Sequence, residues 1–92
     1  MSKEIQVLFL DDEESIIDGV HRLFMREPYE VFATTKVADA RAALEKYKIK
    51  VVVSDYRMPD ISGINFLREV KERYPDTVKI LFTGYTDFSA AE

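Results

Sequence analysis

No cysteine occurs among the 92 residues, which excludes disulfides and thiolate metal sites and fits a reducing compartment. No cluster of lysine and arginine is dense enough to track a phosphate backbone. The formal charge of −4, from 13 basic and 17 acidic residues, also argues against nucleic acid as a direct partner. No apolar run approaches the length of a membrane span. The opening MSKEIQVLFLDD is interrupted by Gln6 and ended by acids, too short for the apolar core of a secretory signal. Linkers, repeats and low-complexity stretches are absent as well. What remains is 47% hydrophobic and 33% charged, the balance of an ordered globular chain and not of a disordered one. One small cytoplasmic domain over residues 1–92, without membrane contact, is the expectation.

Four short apolar runs recur: IQVLFL (5–10), YEVFA (29–33), IKVVVS (49–54) and VKILFT (78–83). Their lengths suit strands, and the intervening segments carry helical periodicity. Ile16, Ile17, Val20, Leu23 and Phe24 form one such face, ended by Pro28. Ala40, Ala43, Leu44 and Tyr47 form a second, with Thr34 or Thr35 as the expected N-cap. Phe66, Leu67, Val70 and Tyr74 form a third, with Ser62 as N-cap and Pro75 as stop. The order β-α-β-α-β-α-β predicts an α/β fold, a doubly wound parallel sheet with helices on both faces. The first, third and fourth runs are nearly continuously apolar, as strands covered on both faces should be. The second carries Glu30, better tolerated at an edge, so the predicted strand order is 2-1-3-4.

In such a sheet, ligands bind beyond the carboxyl ends of the strands where the strand order reverses, here between the first and third strands. Asp11 and Asp12 follow the first strand directly, and Asp55 closes the third. Topology therefore brings three carboxylates into one crevice. At about 5 Å and an effective dielectric near 20, one such pair costs roughly 3 kcal/mol. Raised pKa values, a nearby cation or a bound metal must compensate. No basic residue neighbours all three in sequence, so a hard divalent cation with oxygen ligands is the economical answer, Mg2+ (or Mn2+) above all. A flavin-phosphate site is disfavoured, because DDEES stands where a phosphate loop would need free backbone N–H groups. Thr83, ending the fourth strand, would add a hydroxyl to the crevice. Metal, lone carboxylate and hydroxyl together suit phosphoryl transfer onto aspartate.

The pair Asp11-Asp12, the segment SDYRMPDISG around Asp55, and Thr83-Gly84 resemble the receiver domain of two-component response regulators. The resemblance covers the whole chain, and it implies a flavodoxin-like fold. It implies that Asp55 accepts a phosphoryl group from a sensor histidine kinase, that Asp12 ligates Mg2+ directly and that Asp11 acts largely through water. It further implies that the backbone carbonyl of Arg57 completes the protein ligands and that Thr83 is the switch hydroxyl. Arg57 and Tyr85 resemble positions that tune the phosphoryl lifetime. Such a module assists only its own phosphorylation and dephosphorylation and is not an enzyme in the wider sense.

The family pattern continues through a fourth helix, a fifth strand with a lysine that pairs with the phosphoryl group, and a fifth helix. This sequence ends at Glu92. The expectation is a C-terminally incomplete receiver with no output domain, whose fourth strand, VKILFT, is an exposed edge through which the chain self-associates. A receiver-like fragment that binds metal or self-associates without signalling is the alternative. A phosphatase with an aspartyl intermediate is a weaker one, since Arg57 stands where those enzymes place a second aspartate. Ordinary roles suffice elsewhere: Glu13 and Glu14 at a helix N-terminus, His21 on the surface, Arg68, Lys71 and Arg73 on a solvated helix face, and Met58, Pro59 and Asp60 in the loop after Asp55.

Overall fold

The computed structural model describes residues 5–82. Four strands and three helices alternate: β1 (Ile5–Leu10), α1 (Glu14–Phe24), β2 (Glu30–Thr34), α2 (Val37–Lys46), β3 (Val51–Asp55), α3 (Gly63–Arg73) and β4 (Val78–Phe82). All strand pairs are parallel, in the order β2-β1-β3-β4. The predicted sheet, order and helix sequence are all observed.

Register determines what each face of the sheet carries, because residues paired across parallel strands point the same way. Leu8 pairs with Val52, and Leu10 with Ser54. All four are fully buried, in a core shared with Ala40, Ala43 and Leu44 of α2 and Phe66 and Val70 of α3. Phe9 and Val53 occupy the opposite face, where α1 packs against β2 through Ile17 and Val20. Backbone bonds lace the lower edge of the sheet, with Lys50 N–H donating to the Gln6 carbonyl at 2.9 Å and Val78 N–H to the Lys50 carbonyl at 2.8 Å.

Several local expectations are corrected. The N-cap of α2 is Lys36, neither Thr34 nor Thr35, and it makes no side-chain cap. Thr34 ends β2, and its hydroxyl instead accepts the Lys36 N–H at 3.1 Å, an alternative turn bond that threonine makes readily. Leu23 leaves the buried stripe of α1 and is 71% exposed, because the stripe set by Ile17 and Val20 passes to one side of it. Tyr47 and Tyr74 lie one residue beyond their helices, as C-caps. By contrast Ser62 is the N-cap of α3, its hydroxyl accepting the Asn65 N–H at 3.1 Å.

One tie between helices had no visible sequence signal. Arg41 of α2 and Glu69 of α3 form a two-pronged ion pair at 2.8 and 3.0 Å. The guanidinium holds Glu69 below its usual carboxylate range, and Glu69 in turn raises Arg41. Both side chains are substantially exposed, so the pair contributes at most about 1 kcal/mol. Phe66, with no exposed surface, is a different case. Phe66→Ala is expected to cost about 3–5 kcal/mol, much of a small domain's total, whereas Arg41→Gln should cost under about 1 kcal/mol. Urea unfolding midpoints of the two variants check the contrast.

Candidate phosphoacceptor and metal site

The first strand delivers its acids by ending early. Asp11 N–H donates to the Thr34 carbonyl at 3.2 Å, turning the chain end towards β2. The Asp11 side chain then folds back, and its Oδ1 accepts the Glu13 N–H at 2.9 Å, just where α1 begins. This leaves Asp11 buried at 2% exposure and its neighbour Asp12 exposed. The third strand delivers Asp55 as its own last residue, half-buried, with Ser54 Oγ donating to the Asp55 carbonyl at 3.1 Å.

Asp11, Asp12 and Asp55 converge so that one carboxylate oxygen from each lies within 4.8 Å of the others. The sequence-based expectation of a single acidic crevice at the switch point is therefore observed. Its electrostatics are those of a site short of positive charge. Burial pushes the Asp11 carboxyl up to about 6, against the pull of the Glu13 N–H, and the charges of Asp55 and Asp12 push the same way. Asp55 is raised too, first by burial and then by Asp12, while the backbone N–H groups of Tyr56 and Arg57 favour its ionised form. Arg57 lies two residues beyond Asp55, in the loop after β3. Thr83, Gly84 and Tyr85 lie outside the described residues.

The donor set fits a hard divalent cation. All three groups are carboxylates, one is exposed enough to leave room for coordinated water, and each gains from a cation what it loses to the other two.

A residue outside the sequence-based set holds Asp55 in place. A Cβ built on Gly63 would lie 2.0 Å from the Asp55 carbonyl oxygen and 2.9 Å from Leu81 Cδ1. The first turn of α3 therefore presses directly on the backbone of Asp55, and Gly63 N–H donates to the Tyr56 carbonyl at 2.9 Å. A glycine immediately after an N-cap serine was the available signal, since a helix start has no other need of it.

The family profile described as "Response regulator receiver domain" matches residues 7–92. The chain is 39% identical over 85 residues to the hydrogenase transcriptional regulatory protein HoxA of Cupriavidus necator, an alignment covering 92% of this chain and 17% of that protein. Among solved structures, the signal receiver domain of an HD domain-containing protein from Pseudomonas fluorescens Pf-5 superposes with a TM-score of 0.85 at 25% identity, covering 97% of this chain and 71% of that one. The response regulator TrrA of Thermotoga maritima, solved in complex with Mg2+ and BeF, superposes with a TM-score of 0.79 at 26% identity, covering 94% of this chain and 75% of that one. The chain thus spans less than a fifth of the HoxA regulator's length and about three quarters of these solved receivers.

Two experiments probe this geometry. Gly63→Ala forces either Asp55 or α3 to shift and is expected to cost about 3 kcal/mol or more, read as a lowered urea midpoint. Asp11→Asn keeps an oxygen for the Glu13 N–H but removes the charge. Between about pH 4 and 6 the folded wild type retains a proton on Asp11 that the unfolded chain releases, so in EDTA its stability falls as pH rises through that window. The stability advantage of Asp11→Asn over wild type should therefore be small near pH 4 and grow to roughly 1–3 kcal/mol by pH 7. Urea titrations at several pH values check the slope.

Proposed function

The chain belongs to the response regulator receiver family, and from that premise we propose that it is a single receiver module over residues 1–92 that accepts a phosphoryl group on Asp55. The convergence of Asp11, Asp12 and Asp55 within 4.8 Å at the end of the sheet is the observation that carries the reading. A divalent cation bound there, Mg2+ or Mn2+, supplies the positive charge that the ionised acids and the incoming phosphoryl oxygens need. The exposure of Asp12 supports its assignment as a direct ligand. The burial of Asp11 and its engagement with the Glu13 N–H support an action through water. The Arg57 carbonyl is assigned as a further ligand, from the loop next to the acceptor.

Asp55 sits at the end of a strand locked between two neighbours, with Gly63 behind its backbone. One of its carboxylate oxygens forms the new bond to phosphorus as the bond from phosphorus to the donor breaks. With a sensor histidine kinase the departing group is the kinase imidazole, and with acetyl phosphate it is acetate. The product is an acyl phosphate, and Thr83 is proposed as the hydroxyl that answers its arrival. Receivers are signalling modules, and here too the only chemistry assigned is the chain's own phosphorylation and dephosphorylation. A kinase and an output domain are the proposed partners, in the cytoplasm. Among the described residues no helix is long and apolar enough to cross a membrane.

Intact mass after incubation with Mg2+ and acetyl phosphate tests the reading. The wild type should gain one phosphoryl group, Asp55→Asn none, and EDTA should abolish the gain. A gain that survives in Asp55→Asn would sink the assignment.

A second property rests on β4. Val78, Ile80, Leu81 and Phe82 are all exposed, at 56%, 45%, 39% and 36%, on a strand at the edge of the described sheet. Self-association through this strand is proposed on the general hazard of apolar edges. Native mass at micromolar concentration should show a dimer or larger species, and a strict monomer would refute it.

A further inference from the structure

The acidic crevice has a weakness in its backbone. The ladder joining β1 to β3 ends at Leu10 and Ser54. Beyond that point the two carboxylate-bearing chain ends are bonded away from each other: Asp11 N–H to the Thr34 carbonyl of β2 at 3.2 Å, and Tyr56 N–H to the Phe82 carbonyl of β4 at 2.9 Å. The acids repel across this gap. Some contact other than the ladder has to hold the two sides at a fixed separation.

The register identifies one. Phe9, two residues before Asp11, pairs with Val53, and Phe82 pairs with Asp55, so both rings stand on the same face of the sheet as Val53. The strands that carry them are not neighbours, because β3 lies between. Even so, their ring centroids approach to 5.9 Å at an interplanar angle of 58°, a tilted arrangement in the favourable range for aromatic pairs. The rings therefore meet across β3 on the face they share with Val53, two residues from Asp11 along β1 and opposite Asp55 in register.

We infer that the Phe9–Phe82 contact is a positioning clamp that sets the width of the acidic crevice and thereby makes it select a small divalent cation over a large one. The inference rests on the proposed metal site and deepens it. A small ion such as Mg2+ tolerates little error, with ligand distances near 2.0–2.1 Å and octahedral geometry, whereas Ca2+ accepts about 2.3–2.6 Å and irregular shells. A crevice freed to widen should therefore lose Mg2+ affinity far more than Ca2+ affinity.

The test uses the full chain, with Mg2+ and Ca2+ titrated separately by calorimetry and circular dichroism confirming that each variant is folded. Phe9→Leu and Phe82→Leu each remove the ring pair while keeping apolar bulk. Each should weaken Mg2+ binding about tenfold and Ca2+ binding less than about twofold, the range that supporting residues around metal sites command. The double variant should be no worse than either single one, because one contact is lost in all three. Phe9→Tyr keeps the ring and should restore the wild-type ratio, and Leu23→Ala, which trims a 71% exposed side chain on α1, should leave it unchanged. Equal losses for both cations, additive losses in the double variant, or unchanged Mg2+ affinity would each overturn the clamp. If one leucine variant fails to fold, the other decides. A wild type that binds neither cation would overturn the metal site itself, and the clamp with it.

Discussion

Mutual repulsion among Asp11, Asp12 and Asp55 is the constraint around which this molecule is arranged. Three carboxylates within 4.8 Å are unfavourable for folding, and Asp11 in particular is driven far from its ordinary ionisation by burial. A parallel sheet can impose that proximity because its strands are fixed from below. The lower edge is laced by backbone bonds from Lys50 to Gln6 and from Val78 to Lys50, and the buried layer of Leu8, Leu10, Val52 and Phe66 leaves the strands no room to slide. Packing energy gathered in the core is what holds the acids together in the absence of a cation.

The same constraint explains the detailed build of the upper edge. The Asp11 side chain is tied to the N-cap of α1, the Asp55 backbone is backed by Gly63, and the rings of Phe9 and Phe82 meet across β3. Each contact removes a way for the crevice to relax. The rigidity has an electrostatic consequence: acids that cannot relax apart gain more from a cation than a relaxed set would, and the Asp55 oxygens are presented in one direction. Membership of the receiver family places these features in a signalling context.

Much of this was legible from residue order because its physics is local or topological. The four apolar runs and the helical stripes between them dictated the alternation of elements, and Glu30 in the second run marked it as an edge strand. Once order 2-1-3-4 was in hand, Asp11, Asp12 and Asp55 had to share the switch point, whatever their separation along the chain. Ser62 announced the start of α3 correctly. Thr34 misled, since a threonine at a strand end has two uses for its hydroxyl and took the turn bond to Lys36 instead of a cap.

The sequence by itself determined the architecture and the identity of the acids, because hydrophobic period and carboxylate chemistry are properties of residues in order. Only the tertiary structure decided how those acids are held. That Asp11 is buried while Asp12 is exposed, that Gly63 touches the Asp55 carbonyl, that Arg41 reaches Glu69, and that Phe9 meets Phe82 across an intervening strand all depend on the register and on the angles at which elements pack. Those quantities are set by the fit of many side chains at once, and no single stretch of sequence carries them.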